Sequence, residues 1–519
     1  MKLARIGLYQ PASVTGRHTP YLVELLEQER LSFALLAGLP SVGEFDLVLR
    51  SGGPDALSPG ELDYVSAGGR LLAFSLEEGP EGRAKAFGQG HAAVKGQPLR
   101  FFAGRQLRGA SLERGSATAA ETSAPLVQEF AIGRGRLIHV TIDVPDTIVR
   151  IQQGVGLLTH DRPSAPDGTA ETAEGILKAD DTTTLDWIED RGRTATGQPY
   201  FPLAHADRWR QWLVEEIVGI VSPRVLLRPA AWPGGAPGVV HLSLDSDDND
   251  PDHAETALVL LDNLDIRATW CELEGGYGPQ MQKRVHAAGH EVALHYNARP
   301  EENGVWSEEA FANQLARHNA TAPVPAVSNK NHYTRFEGWD AFYLWCEAGG
   351  IRLDGTRGPS KMGNRGFLYG TCFPHRPAAF DPAAPRHRLY SLAFQTADID
   401  FEPQRWGDSS IVGPLADEVM AVGGCLHLLN HQRWLHKFAS VREALTRALS
   451  LARSRGMVAM TGREIADWVD ALRAVRITSA GNGLVAENLP PEAVLEVLSA
   501  DGTRRLPPPA PDGAVQLAS

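Results

Sequence analysis

Cysteine is scarce in this chain. Its 519 residues include four, Cys271, Cys346, Cys372 and Cys425, and none forms a CxxC pair. That excludes a zinc ribbon or a dithiol redox motif, and four scattered thiols predict a reducing, cytoplasmic setting. Basic residues are outnumbered, 50 Lys and Arg against 63 Asp and Glu, for a formal net charge of −13. A nucleic-acid partner calls for a basic face, and an anionic membrane surface calls for the same, so neither is expected. No apolar run reaches about 18 residues, so no membrane span is expected. The first twenty residues carry charges and Pro11 but no long apolar stretch, so they do not read as a signal peptide.

The hydrophobic share of 43% and charged share of 22% are those of a globular chain with ample core. The length exceeds one ordinary domain, and the reading divides it into 1–225, 226–475 and 476–519. Near the first boundary the Pro/Gly-rich run Arg228–Gly238 (RPAAWPGGAPG) breaks helix and strand and leads into Val239–Asp250, VVHLSLDSDDND. An apolar, β-branched run there ends in Asp245, Asp247, Asp248 and Asp250, with Asp252 just beyond. Carboxylates crowded at a strand end repel one another, and burial raises their pKa values unless a cation compensates. A divalent metal is the usual compensation; a solvated acidic turn capping a helix is the alternative.

In the first segment, Leu3–Tyr9, Phe45–Arg50, Arg70–Phe74 and Arg136–Ile142 read as strands. Helices are expected over Pro20–Leu36 and around Pro59–Ala67, an alternation that predicts an α/β layer with a largely parallel sheet. FDLVLRSGGP and DYVSAGGRLLAF resemble the class I glutamine amidotransferase-like fold, a flavodoxin-like three-layer α/β domain. That fold's enzymes place a cysteine on a sharp turn after a strand. The matching turn here, near Ser75–Gly79 (SLEEG), has none, and the first cysteine of the chain is Cys271. Thiol-dependent amidotransfer is excluded, which leaves a non-catalytic scaffold or homo-oligomerisation domain. Residues 155–200, rich in Asp, Thr, Gly and Pro, read as a long insertion, followed by an amphipathic helix over Asp207–Val221.

Beyond the acidic loop, helices at His253–Leu264 and Pro279–Ala288 alternate with strands at Arg267–Cys271 and Glu291–Leu294. Asp247 and His295 therefore fall just past strand carboxyl ends, where sites collect in β/α barrels. LSLDSDD, followed about fifty residues on by AAGHEVALHYNARP, resembles the polysaccharide deacetylase (NodB-homology) family, metal-dependent carbohydrate esterases with a distorted β/α barrel. The resemblance implies that Asp245 is the base and Asp247 a metal ligand, with Asp248 a competitor for either role. It matches Gly289-His290-Glu291 and makes His295 a second ligand. Four residues on, where the family has another ligand histidine, this chain has Arg299, which cannot ligate a metal.

The next strand and loop, Val327–Tyr333 (VSNKNHY), offer His332 as the replacement ligand, with Arg335 to orient Asp245. Val422–His431 (VGGCLHLLNH) matches the family's last motif, with His431 at the strand end as the expected acid and His427 as its rival. Tyr333, Asp354 and Arg299 are candidates facing the substrate, although an acidic helix cap is an equal reading of Asp354. A short β appendage is expected over 476–519. The implied activity is metal-assisted removal of an acyl group, N-acetyl first, from an amino sugar or glycan. Zn²⁺ is the first expectation for the metal, with Ni²⁺, Co²⁺ and Mn²⁺ also compatible. Two alternatives stay open: an amidohydrolase acting on a non-sugar C–N bond, and a metal-free binding protein in which Arg299 puts a cation where the metal would lie.

Overall fold

The structure, a computed structural model, describes residues 2–11, 21–51, 56–74, 85–87, 98–103, 106–113, 116–119, 126–171, 175–381, 384–403, 407–480, 483–507 and 514–515. The Ser75–Gly79 turn lies outside them. Contacts divide the chain into two compact units, Met1–Arg150 with His205–Gly235 and Asp470–Ser519, and Ile151–Ala204 with Ala236–Val469. This division does not follow the linear boundaries at 225 and 475. Leu226–Pro229 pairs antiparallel with Leu495–Ser499, so the carboxyl-terminal strands share a sheet with the segment that precedes the acidic strand. Among the described residues, no helix is long and apolar enough to cross a membrane.

The first unit is built on a sheet in which Ala34–Leu36, Ile6–Tyr9, Leu47–Arg50, Arg70–Phe74 and Gly135–Val140 run parallel. Val127–Ile132 and Lys85–Phe87 extend it antiparallel. The helix expected over Pro20–Leu36 is shorter, Tyr21–Gln28. Arg30 takes a left-handed backbone (φ 56°), which ends the helix, and Ala34–Leu36 then joins the sheet beside Ile6–Tyr9. Glu29, just past that helix, is buried among Arg30, Arg210 and Arg228. Burial opposes its charge, but the three guanidiniums outweigh burial and lower its pKa to about 2.

The second unit carries a nine-stranded, all-parallel sheet. Its strands are β1 (Val239–Asp245), β2 (Thr269–Glu272), β3 (Glu291–Tyr296), β4 (Ser328–Asn331), β5 (Leu353–Asp354), β6 (Tyr390–Ser391), β7 (Thr396–Ala397), β8 (Cys425–His431) and β9 (Val458–Ala459). Each of β1 to β5 pairs with the next, while β7 pairs with β8 and β8 returns to β1. This is the circular order of a β/α barrel, with no strand pairing between β6 and β7 among the described residues. Tyr390–Ser391 and Thr396–Ala397, close together in the chain, sit on either side of that seam.

Parallel strands buried on both faces read as nearly continuous apolar runs, and β1 is buried at every position. Side chains still alternate with a period of two. Val240, Leu242 and Leu244 join the outer core that the helices cover, each contributing about 2 kcal/mol by burial. The intervening His241, Ser243 and Asp245 turn inward, as contacts with residues of β4 and β8 show: the His241 ring lies tilted against His427 at 4.4 Å, Ser243 hydrogen-bonds His427 at 2.9 Å, and Asp245 pairs with Lys330. The barrel interior is therefore a polar column whose top is the row of strand carboxyl ends.

Candidate metal centre

Register sets the site. Asp245 is the Cα partner of His431 across β1 and β8, and His295 is the partner of Lys330 across β3 and β4. Just past β1 the chain turns at Asp247 through a left-handed conformation (φ 44°), and Tyr333 (φ 55°) follows His332 in the same way. Non-glycine residues held there cost about 1 kcal/mol or more each and cluster at functional sites. The turns carry Asp247 Oδ1 to within 3.6 Å of both His295 Nε2 and His332 Nδ1, which are 3.0 Å from each other. Among the described residues this is the one His/Cys/Asp/Glu group whose donor atoms lie within 4.8 Å of one another.

These residues fit a divalent cation. Zn²⁺ bonds of 2.0–2.2 Å in a tetrahedron put donor atoms about 3.3 Å apart, close to the spacing found. The outer nitrogen of His295, Nδ1, lies 2.9 Å from the Lys330 carbonyl and must donate to it. Its Nε2 therefore presents a lone pair to the triangle. Asp247 Oδ1 is buried with no hydrogen-bond partner. Burial opposes the Asp247 charge, but His431, His295 and His332 hold its carboxyl far below the usual range. Burial and the neighbouring His295 push His332 down to about 4, which keeps it neutral and able to ligate.

Two groups flank the triangle. Asp245 Oδ2 lies 3.7 Å from His295 Nε2 and 3.4 Å from Lys330 Nζ, while its Oδ1 is buried without a hydrogen-bond partner. His431 Nε2 lies 3.7 Å from Asp247 Oδ2, and its Nδ1 bonds Asp398 Oδ2 at 2.5 Å. Burial disfavours the imidazolium of His431, but Asp398 and Asp247 overcome it and raise the pKa to about 10.

Other expected residues stand elsewhere. Asp248 pairs with Arg433 at 3.5 Å outside the triangle, and Asp250 caps the helix Pro251–Leu264 by accepting from the Asp252 amide. Arg335 does not orient Asp245: its guanidinium donates to the Ala298 carbonyl and pairs with Glu337 at 2.7 Å. The cation beside Asp245 is Lys330. His427 is buried below the site, held between Ser243 and the Leu392 carbonyl, and burial keeps its pKa well below that of a free histidine. Asp354 is fully buried and accepts from Thr356 and Asn329, so it forms part of the interior column rather than a surface open to substrate. Arg299 lies over the Tyr333 ring at 4.2 Å and pairs with Glu302, so it does not enter the triangle.

Sequence reasoning missed Lys330, Asp398 and Glu302. A lysine inside a strand otherwise expected to be buried was a readable signal for the first. Asp398 and Glu302 carried no signal above that of ordinary loop acids.

The fold and the site together define a β/α-barrel protein with an Asp–His–His donor set at its strand carboxyl ends. No family model matches the chain, and no curated protein matches it. Solved structures similar to it include a polysaccharide deacetylase from Mycobacterium smegmatis, at 18% identity over 49% of this chain and 97% of that one, TM-score 0.37. An allantoinase matches at 15% identity over 48% and 95%, TM-score 0.36. A family 4 carbohydrate esterase from Streptomyces lividans, in complex with acetate, matches at 13% over 43% and 92%, TM-score 0.29. Similarity at this level assigns neither a substrate nor a residue role.

Proposed function

We propose that the chain is a metal-dependent hydrolase that removes an acyl group, N-acetyl first, from an amino sugar or related glycan. The observation that carries this reading is the Asp247–His295–His332 triangle with a carboxylate, Asp245, on one flank and an imidazole, His431, on the other. The acyl-sugar substrate follows from the resemblance of LSLDSDD and AAGHEVALHYNARP to the NodB-homology family. Asp247 Oδ1, His295 Nε2 and His332 Nδ1 would hold a divalent cation, which supplies a Lewis acid that polarises the acyl oxygen and acidifies water.

The protein's own groups then divide the proton traffic. Lys330 holds one oxygen of Asp245, so the other, Oδ1, is the acceptor for the proton of the attacking water. As the C–O bond forms and the C–N bond breaks, the departing amine takes a proton from His431 Nε2. Asp398 fixes that ring through Nδ1 and favours its charged form, so the proton is in place at neutral pH. For the amino-terminal segment we infer a non-catalytic scaffold or homo-oligomerisation role, in keeping with the absence of any cysteine before Cys271.

The test is metal content and turnover in the full chain. The wild type should hold about one metal, lost in His295→Ala and His332→Ala. Asp245→Asn should keep it and lose about 10²- to 10⁴-fold in kcat on acetylated amino sugars. A wild type that stays metal-free after reconstitution would overturn the reading, as would full activity in Asp245→Asn. Turnover of simple amides but of no sugar would move the substrate to a non-sugar C–N bond.

A further inference from the structure

We propose that Glu302 is a positioning residue for His332, and that Arg299 holds Glu302 in place. The inference rests on the reading of Asp247, His295 and His332 as a ligand set. A histidine that offers one nitrogen to a cation must keep the proton on the other, and an acceptor behind it fixes both tautomer and ring direction. For His295 that acceptor is the Lys330 carbonyl. For His332, the nitrogen turned away from the triangle, Nε2, faces Glu302 Oε2 at 3.3 Å.

Glu302 is itself fixed. Its Oε2 accepts from Asn297 Nδ2 at 3.0 Å, and its Oε1 accepts from Arg299 Nη1 at 2.8 Å. The same Arg299 nitrogen donates to the Tyr333 hydroxyl at 2.9 Å, and the guanidinium covers that ring. The backbone hook that carries Glu302 closes on itself, with the Gly304 amide donating to the Arg299 carbonyl at 2.8 Å. A Cβ on Gly304 would meet the Arg299 backbone nitrogen at 2.4 Å, so only glycine lets the hook close this tightly. Tyr333 directly follows His332, so Arg299 braces the ligand twice, through Glu302 and through the neighbouring ring. The arginine that stands four residues after His295 thus anchors the carboxylate behind a ligand taken from the next strand end.

The experiment measures Zn²⁺ affinity by competition with a chromophoric chelator for wild type, Glu302→Ala, Glu302→Gln, Arg299→Ala and the Arg299→Ala/Glu302→Ala double variant. The visible spectrum of each Co²⁺-loaded protein is recorded alongside. Glu302→Ala should weaken affinity about 10- to 100-fold and alter the Co²⁺ spectrum. Glu302→Gln, which keeps an acceptor oxygen, should lose less, and it carries the test if the alanine variant fails to fold. Arg299→Ala should weaken binding in the wild-type background and add less than that loss to Glu302→Ala, where only its hold on the Tyr333 ring remains. Affinity within about twofold of wild type in both Glu302 variants, with metal still lost in His332→Ala, would overturn the positioning role alone. Full additivity of the two losses would remove Arg299 from it. A wild type that binds no metal, or a His332→Ala variant that keeps it, would overturn the ligand reading itself.

Discussion

Metal removal should change the stability of this protein by an amount the donor geometry lets one state. The three donor atoms already lie 3.0 to 3.6 Å apart, against about 3.3 Å in a tetrahedral zinc site. Binding therefore requires little rearrangement, and the left-handed turn at Asp247 is already in place. With free Zn²⁺ a thousandfold above Kd, linkage to the folded state is worth about 4 kcal/mol. At about 2–4 °C per kcal/mol for a domain of this size, loaded and chelated protein should differ in Tm by about 8–16 °C. The assay is thermal unfolding after EDTA treatment, with and without added Zn²⁺, on wild type and His332→Ala. The variant should lose the zinc-dependent shift. Its chelated form should lie about 1–2 kcal/mol below the chelated wild type, for the lost contacts with His295 and Glu302. Equal Tm values for loaded and chelated wild type would refute the reasoning, as would a full shift in His332→Ala.

Asp398→Asn should lower kcat by about 10²-fold or more with little change in KM, because the amide can no longer hold the His431 tautomer; steady-state kinetics at saturating metal checks this. Lys330→Met should cut turnover at least about tenfold while metal content stays constant. Arg335→Ala should leave kcat within a few fold and cost about 1–2 kcal/mol in urea unfolding for its lost bonds to Ala298 and Glu337. Glu29 gives a pH prediction far from the site. Its folded pKa, about 2, lies below its ordinary 4.5, so its contribution is present above about pH 4.5 and is lost as pH falls toward 2. At about 1.4 kcal/mol per unit this is roughly 3 kcal/mol. Arg30, pushed down to about 9 by burial and Arg228, stays charged throughout that window. Glu29→Gln should flatten the acid limb of stability measured by urea titration between pH 2 and 5.

Much of the barrel was legible because its signals are local. The apolar run of β1 and the glycine- and proline-marked boundaries depend on neighbours in sequence. So does the acidic cluster, but its aspartates divide among tasks that no local rule assigns. Asp245 and Asp247 face the centre, Asp248 pairs outward with Arg433, and Asp250 caps a helix. Arg335 and Lys330 show the same limit. Lys330 lies within β4 and Arg335 just past it, and only the strand register puts Lys330, the partner of His295, beside Asp245. The strand at Ala34–Leu36 was hidden within an apolar stretch that suits a helix equally well until a parallel neighbour claims it.

By itself the sequence determined that carboxylates and imidazoles stand at strand ends, that no cysteine chemistry serves the amino-terminal segment, and that position 299 cannot ligate. Periodicity, composition and side-chain chemistry are properties of the chain before it folds. The tertiary structure alone decided which of those groups meet. It set Asp247 Oδ1, His295 Nε2 and His332 Nδ1 within 3.6 Å, placed Asp398 behind His431, and turned Arg299 toward Glu302 and Tyr333. Contacts such as that of Ser243 with His427, 184 positions apart, are fixed by sheet register and loop closure, which no local stretch of sequence encodes.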